Sequence, residues 1–139
     1  MNRSSIKLVA LTTAFCMGGV GIGWTQAQGT LRVKKLDPGQ KWAVMGLTFP
    51  VTVSCNNGNT YTLTLIPGGP QQTIPPQNVG TKCTVTENPP NLTVAQAVGP
   101  AMCTAAQYPG HWVVTYSKPS PVTISVIPKI VSITNQYQC

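Results

Sequence analysis

Acidic side chains are almost missing from this sequence: Asp37 and Glu87 are the only two among 139 residues. Histidine occurs once, as His111. These shortages remove whole classes of chemistry. A Ser–His–acid triad needs a histidine held between a nucleophile and a carboxylate. His111 instead sits in Tyr108-Pro-Gly-His-Trp112, which reads as a turn entering a strand. A glycosidase needs two carboxylates facing one bond, and Asp37 lies in an Asp-Pro-Gly turn. No phosphate-cradling glycine loop is present. The cysteines are far apart and never form Cys-x-x-Cys, the spacing that favours zinc. The expectation is a protein that is not a turnover enzyme and needs neither cofactor nor metal. Charged residues make up only 8% of the chain. The cations do not gather into the basic stripe of a nucleic-acid binder, so no nucleic-acid partner is expected. Scattered lysines suit the guarding of sheet edges instead. After residue 28 helical periodicity is nearly absent. No second long apolar run follows the first one, so no membrane span is expected in the mature chain.

The N-terminus reads as an export signal. Arg3 and Lys7 precede an apolar run from Leu8 to Ile22, and Thr25-Gln26-Ala27 offers small residues at a cleavage site. Residues 1–27 are therefore read as a signal peptide and 28–139 as a single domain that is secreted, periplasmic or held at the cell surface. Cys16 leaves with the leader. Cys55, Cys83, Cys103 and Cys139 remain, an even number in an oxidising compartment. Three pairings are open to them. Cys55 continues the phase of Phe49, Val51 and Val53, and Cys83 shares a face with Val85. Both point to a core, which favours Cys55–Cys83 and leaves Cys103–Cys139. An intermolecular role for Cys139 is the alternative.

Threonine, valine, asparagine, glycine and proline dominate the rest, as in sheets joined by tight turns. Alternation predicts strands over 29–35, 49–55, 61–65, 72–74, 82–87, 111–116, 122–127 and 129–137. Asn56-Asn57-Gly58-Asn59 signals a hairpin whose two central residues accept positive φ. Leu92–Val94 reads as a further strand, and 95–107 as a loop or one helical turn. Eight or nine short strands at this spacing describe a sandwich or barrel, and an all-β, immunoglobulin-like β-sandwich is the expected fold.

Residues two apart in a strand share a face. Leu31 and Val33 thus lead to Lys35, Cys83 and Val85 to Glu87, and Val131 and Ile133 to Asn135. Three inward registers each end in a polar residue. A buried lysine and a buried glutamate are costly unless paired.

Gly29-Thr-Leu-Arg-Val-Lys-Lys35-Leu-Asp37 resembles the opening strand of Cna protein B-type domains, the immunoglobulin-like, prealbumin-like modules of bacterial pilins and adhesins. Cys83-Thr-Val-Thr-Glu87 resembles their glutamate-bearing strand, and Val131-Ser-Ile-Thr-Asn135 their closing strand. The chain is still more similar to an uncharacterised family repeated in actinobacterial surface proteins. That likeness rests on Val51 to Cys55, Tyr61 to Gly69 and Cys83 to Glu87. The resemblance covers most of residues 29 to 137 and implies a structural or adhesive module. It also implies an intramolecular isopeptide bond between Lys35 and Asn135. Burial favours the neutral forms of amine and acid. Lys35 would then be the nucleophile, and a protonated Glu87 would polarise the Asn135 amide as general acid. Against this, Lys35 can snorkel to solvent, Glu87 can face out, and Asn135 can cap a strand end. Lys34 takes the inward place if the register slips by one. Disulfides already staple the domain, which makes another cross-link less necessary.

Trp112 is in phase with Val114 and Tyr116 and is expected to pack in the core. Trp42 falls in a loop after Lys41 and is expected to be exposed, a weak mark of a binding surface. The partner in either reading is an extracellular protein or glycan surface. The alternative to a structural module is a small secreted binding module that uses its loops.

Overall fold

The computed structural model describes residues 23–99 and 103–139. The leader expected over 1–27 lies almost wholly outside the described residues, as does Cys16. Among the described residues there are ten strands: β1 (Gln28–Gly29), β2 (Leu31–Leu36), β3 (Phe49–Cys55), β4 (Thr60–Leu65), β5 (Gln72–Thr73), β6 (Gln77–Asn78), β7 (Lys82–Glu87), β8 (His111–Tyr116), β9 (Val122–Thr123) and β10 (Lys129–Gln138). One short helix, α1 (Val94–Val98), and a 3-10 turn at Ala105–Gln107 lie between β7 and β8.

Two four-stranded sheets form the layers, ordered β5-β2-β10-β8 and β4-β3-β7-β9. Their inner faces merge into one cluster. Leu31, Val33, Val131 and Ile133 come from the first sheet, and Val51, Val53, Leu65 and Val85 from the second. The alternation that builds it is plain in β3, where Phe49, Val51, Val53 and Cys55 point in and Pro50 and Ser54 point out. Each such aliphatic side chain contributes about 1.5–3 kcal/mol on burial. The arrangement is the expected all-β sandwich. Pairing inside the first sheet is mixed. β2 runs parallel to β10, with Val33 opposite Val131 and Lys35 opposite Ile133. β8 runs antiparallel to β10 on its other side.

Three local readings differ from expectation. In the 56–59 hairpin only Gly58 has positive φ, at 89°. Asn57 turns the chain by another means: its Oδ1 accepts the Asn59 N–H at 3.1 Å. The strand expected over 122–127 is paired only at Val122–Thr123. The strand expected over 92–94 gives way to α1. Thr93 is its N-cap and forms a capping box with Gln96, whose Oε1 accepts the Thr93 N–H at 2.9 Å. Thr104 and Gln107 repeat that box eleven residues on. Gly29, where β1 ends, permits a contact no other residue would: a Cβ there would collide with the Ser125 carbonyl oxygen.

A second, smaller apolar cluster closes one end of the sandwich. Trp42, Phe49, Leu92, Ala97 and Cys103 are its buried members, with Trp112 and Tyr137 packed against them. Among the described residues no helix is long and apolar enough to cross a membrane.

Candidate cross-linking site

The two apolar clusters meet at Lys35, Glu87 and Asn135. Each stands one pleat beyond the last buried aliphatic residue of its strand. Lys35 follows Val33 in β2, Asn135 follows Ile133 in β10, and Glu87 follows Val85 in β7 of the facing sheet. Strand periodicity leaves them no outward choice, because the same phase buries the residues before them. Their exposures are 1%, 5% and 6%.

The three side chains converge on one carboxylate. Lys35 Nζ donates to Glu87 Oε1 and to Oε2, at 2.8 Å each. Asn135 Nδ2 donates to Glu87 Oε1. The Lys35 ammonium also lies over the Phe49 ring, 4.1 Å from its centroid. The Glu87 backbone N–H donates to the Tyr116 hydroxyl at 2.9 Å, which ties β7 to β8 across the sandwich. Asn135 Oδ1 is buried and accepts no hydrogen bond. Burial pushes the Lys35 ammonium below its ordinary pKa; the hydrogen bond and charge of Glu87, then the charge of Asp37, oppose that shift. The pair is wholly removed from solvent. The arrangement places an amine, a carboxyl group and a primary amide in mutual contact in an apolar enclosure. Those are the reactants and the acid–base group of an amide exchange.

Phe49, Tyr116 and Trp42 belong to this site but were not assigned to it from sequence. For Phe49 the signal was available, since it shares the phase of Val51 and Val53. Trp42 requires a correction. Expected as an exposed recognition residue, it is 4% exposed. The cause lies in Asp37, whose Oδ2 accepts the backbone N–H groups of Trp42 at 3.0 Å and Ala43 at 2.7 Å. That folds the loop back over the sandwich end. The ring packs edge-on to Trp112, with centroids 4.8 Å apart. Trp112 packs as expected, and also meets Phe49 and Tyr137 edge-on. His111 is exposed at the start of β8.

The structure bridges Cys55 to Cys83 and Cys103 to Cys139. The first bridge joins directly opposed residues of β3 and β7 within one sheet. The second ties the segment after α1 to the end of β10. Among the described residues no group of three or more His, Cys, Asp or Glu side chains could hold a metal ion.

The fold and the site together define a disulfide-bridged all-β sandwich with a buried Lys–Glu–Asn cluster. More particularly, the chain belongs to the family described as Domain of unknown function (DUF5979), whose model matches residues 31–138. No curated protein matches it. It is similar to a bacterial adhesin from Mobiluncus mulieris, solved in two crystal forms and containing intramolecular disulfide, isopeptide and ester bond cross-links. Identity is 18% and 19%, and the TM-scores are 0.46 and 0.45. The likeness covers 80% of this chain and 42% of that one.

Proposed function

We propose that this is an exported structural and adhesive module of the cell surface that condenses Lys35 with Asn135 once, in itself, to form an isopeptide bond. The observation that carries the reading is the meeting of Lys35 and Asn135, from adjacent strands, on a single buried carboxylate from the facing sheet. The leader-like N-terminus and the two disulfides support an oxidising location outside the cytoplasm. The likeness to Cna B-type strands at Lys35, Glu87 and Asn135 is consistent with the same chemistry.

The reaction balances without any other reactant. A proton passes from Lys35 Nζ to Glu87 along their 2.8 Å hydrogen bond, and burial favours the resulting neutral pair. The Nζ lone pair attacks Cγ of Asn135. Rotation of the amide exchanges Nδ2 and Oδ1, so that protonated Glu87 donates to the oxygen as negative charge develops there. Nζ gives up its second proton from the tetrahedral intermediate, again through Glu87, as the bond from Cγ to Nδ2 breaks. The departing nitrogen carries off both protons, so an amide and one ammonium ion result and the chain is lighter by one ammonia. Glu87 ends as it began, while Lys35 and Asn135 are consumed.

Intact mass of the purified, reduced protein tests the reading. The expected mass is that of the chain cut after Ala27 and lighter by one ammonia, with Glu87→Ala retaining the ammonia. A wild-type protein of full, uncondensed mass would refute the cross-link. Retention of wild-type but not denatured protein on cell-wall or host-surface material tests the adhesive role, and equal retention of both counts against it.

A further inference from the structure

Trp42 is a buried aromatic at this site whose polar group has no part in the condensation steps. Its indole Nε1–H donates to the backbone carbonyl of Asn135 at 3.3 Å. The bond reaches from the 37–47 loop to β10, 93 positions along the chain. It holds the reacting residue by its main chain in addition to the β8 ladder, where Asn135 lies opposite Val114. β2 pairs with β10 only as far as Leu36 opposite Thr134. On that side of β10, Asn135 is therefore past the end of the ladder. The loop is itself pinned by Asp37, two residues beyond Lys35. One short segment thus links the end of the lysine strand to the asparagine backbone. On the outer side of the ring, Pro38, Lys41, Trp42 and Thr134 to Tyr137 line an open cleft of about 280 Å³ that reaches Asn135. Trp42 is a wall between that cleft and the buried cluster.

We propose, on the basis of the cross-linking reading above, that Trp42 is a positioning residue for the Lys35–Asn135 bond. Its N–H fixes the Asn135 backbone, and its ring keeps cleft water from the amine. The two roles separate by substitution. Trp42→Phe keeps an aromatic wall and removes the N–H. Trp42→Ala removes both.

Wild-type, Trp42→Phe and Trp42→Ala chains are recovered unfolded and uncondensed from inclusion bodies and refolded with oxidised disulfides. Ammonia loss is then followed by intact mass across a range of pH. Rates are taken per folded molecule, with folding scored by circular dichroism and disulfide count, so that a purely structural defect does not register. Trp42→Phe is expected to condense about tenfold more slowly at every pH, with an unchanged pH profile. Trp42→Ala is expected to slow further and to shift its half-maximal rate to higher pH. Water would then stabilise the Lys35 ammonium, which Glu87 and Asp37 already favour and Lys41 at the cleft opposes. Trp42→Phe condensing at the wild-type rate overturns the positioning role, whatever Trp42→Ala does. A Trp42→Ala profile that coincides with wild type overturns the shielding role. A wild type that never loses ammonia instead overturns the cross-linking reading, and this proposal with it.

Discussion

Lys35, Glu87 and Asn135 are each poor candidates for burial alone. Together they satisfy most of one another's polar atoms. Removing one partner of a buried ion pair strands the other and costs more than replacing both. Glu87→Ala is therefore expected to be about 3–5 kcal/mol less stable to urea than Lys35→Met/Glu87→Leu, although neither can condense. Equal midpoints would show that the pair is more solvated than its geometry implies. The lysine also sets a pH signature in an uncondensed background such as Asn135→Ala. Its folded pKa is lowered by desolvation, against opposition from Glu87 and Asp37. Between that lowered value and the ordinary lysine value, the unfolded chain binds more protons than the folded one. Stability then rises with pH across that window and is flat, for this group, on either side. Urea midpoints measured through the alkaline range check it. Lys35→Met on the same background should abolish the rise.

At the scale of elements, β3 and β7 are joined twice, by ladder hydrogen bonds and by the Cys55–Cys83 bridge. On the Asn135→Ala background, replacing both cysteines with alanine is expected to cost about 2–4 kcal/mol in urea. A loss well under 1 kcal/mol would mean that the ladder alone fixes the pair. Both strands were legible because each buries one face only. Their period-2 pattern therefore names the inward residues, and the same rule gave Lys35, Glu87 and Asn135 places in the core. Where burial follows another logic, the sequence was less informative. β6 is two residues long and carries its buried Gln77 in a net with Tyr61, Asn57 and Asn59, which no hydrophobic pattern marks. α1 is too short to show a 3.6-residue period. Its signal was the Thr93-x-x-Gln96 box, repeated at Thr104-x-x-Gln107. Trp42 was misplaced because a loop residue's burial depends on where the loop folds. That is decided by the Asp37 carboxylate and by an aromatic cluster assembled from β3, β8 and β10.

The whole molecule answers why an amide cross-link would be useful beside two disulfides. Each bridge short-circuits part of the path that a pulling force takes through the domain. With both disulfides intact, load entering at β2 passes from Cys55 to Cys83 and from Cys103 to Cys139. Residues 56–82 and 104–138 are bypassed, but the spans 36–54 and 84–102 remain free to extend. The proposed Lys35–Asn135 bond would close both of those spans. It would join β2 directly to β10, its parallel neighbour, so that shear between these strands would meet a covalent link and not only ladder hydrogen bonds. The two chemistries would thus be complementary in what they protect. Single-molecule pulling on the domain, flanked by reference domains, tests this. Under reducing conditions the condensed wild type is expected to show no unfolding step from this domain. Glu87→Ala should release the stretch from residue 35 to residue 135 in a step of roughly 330–360 Å, less the folded end-to-end distance. With disulfides oxidised, the Glu87→Ala step should shrink to less than half of that, because only the two unbridged spans lengthen. A wild type that extends under reducing conditions as far as Glu87→Ala would show that the amide bond bears no load. It would leave the disulfides as the domain's only covalent reinforcement.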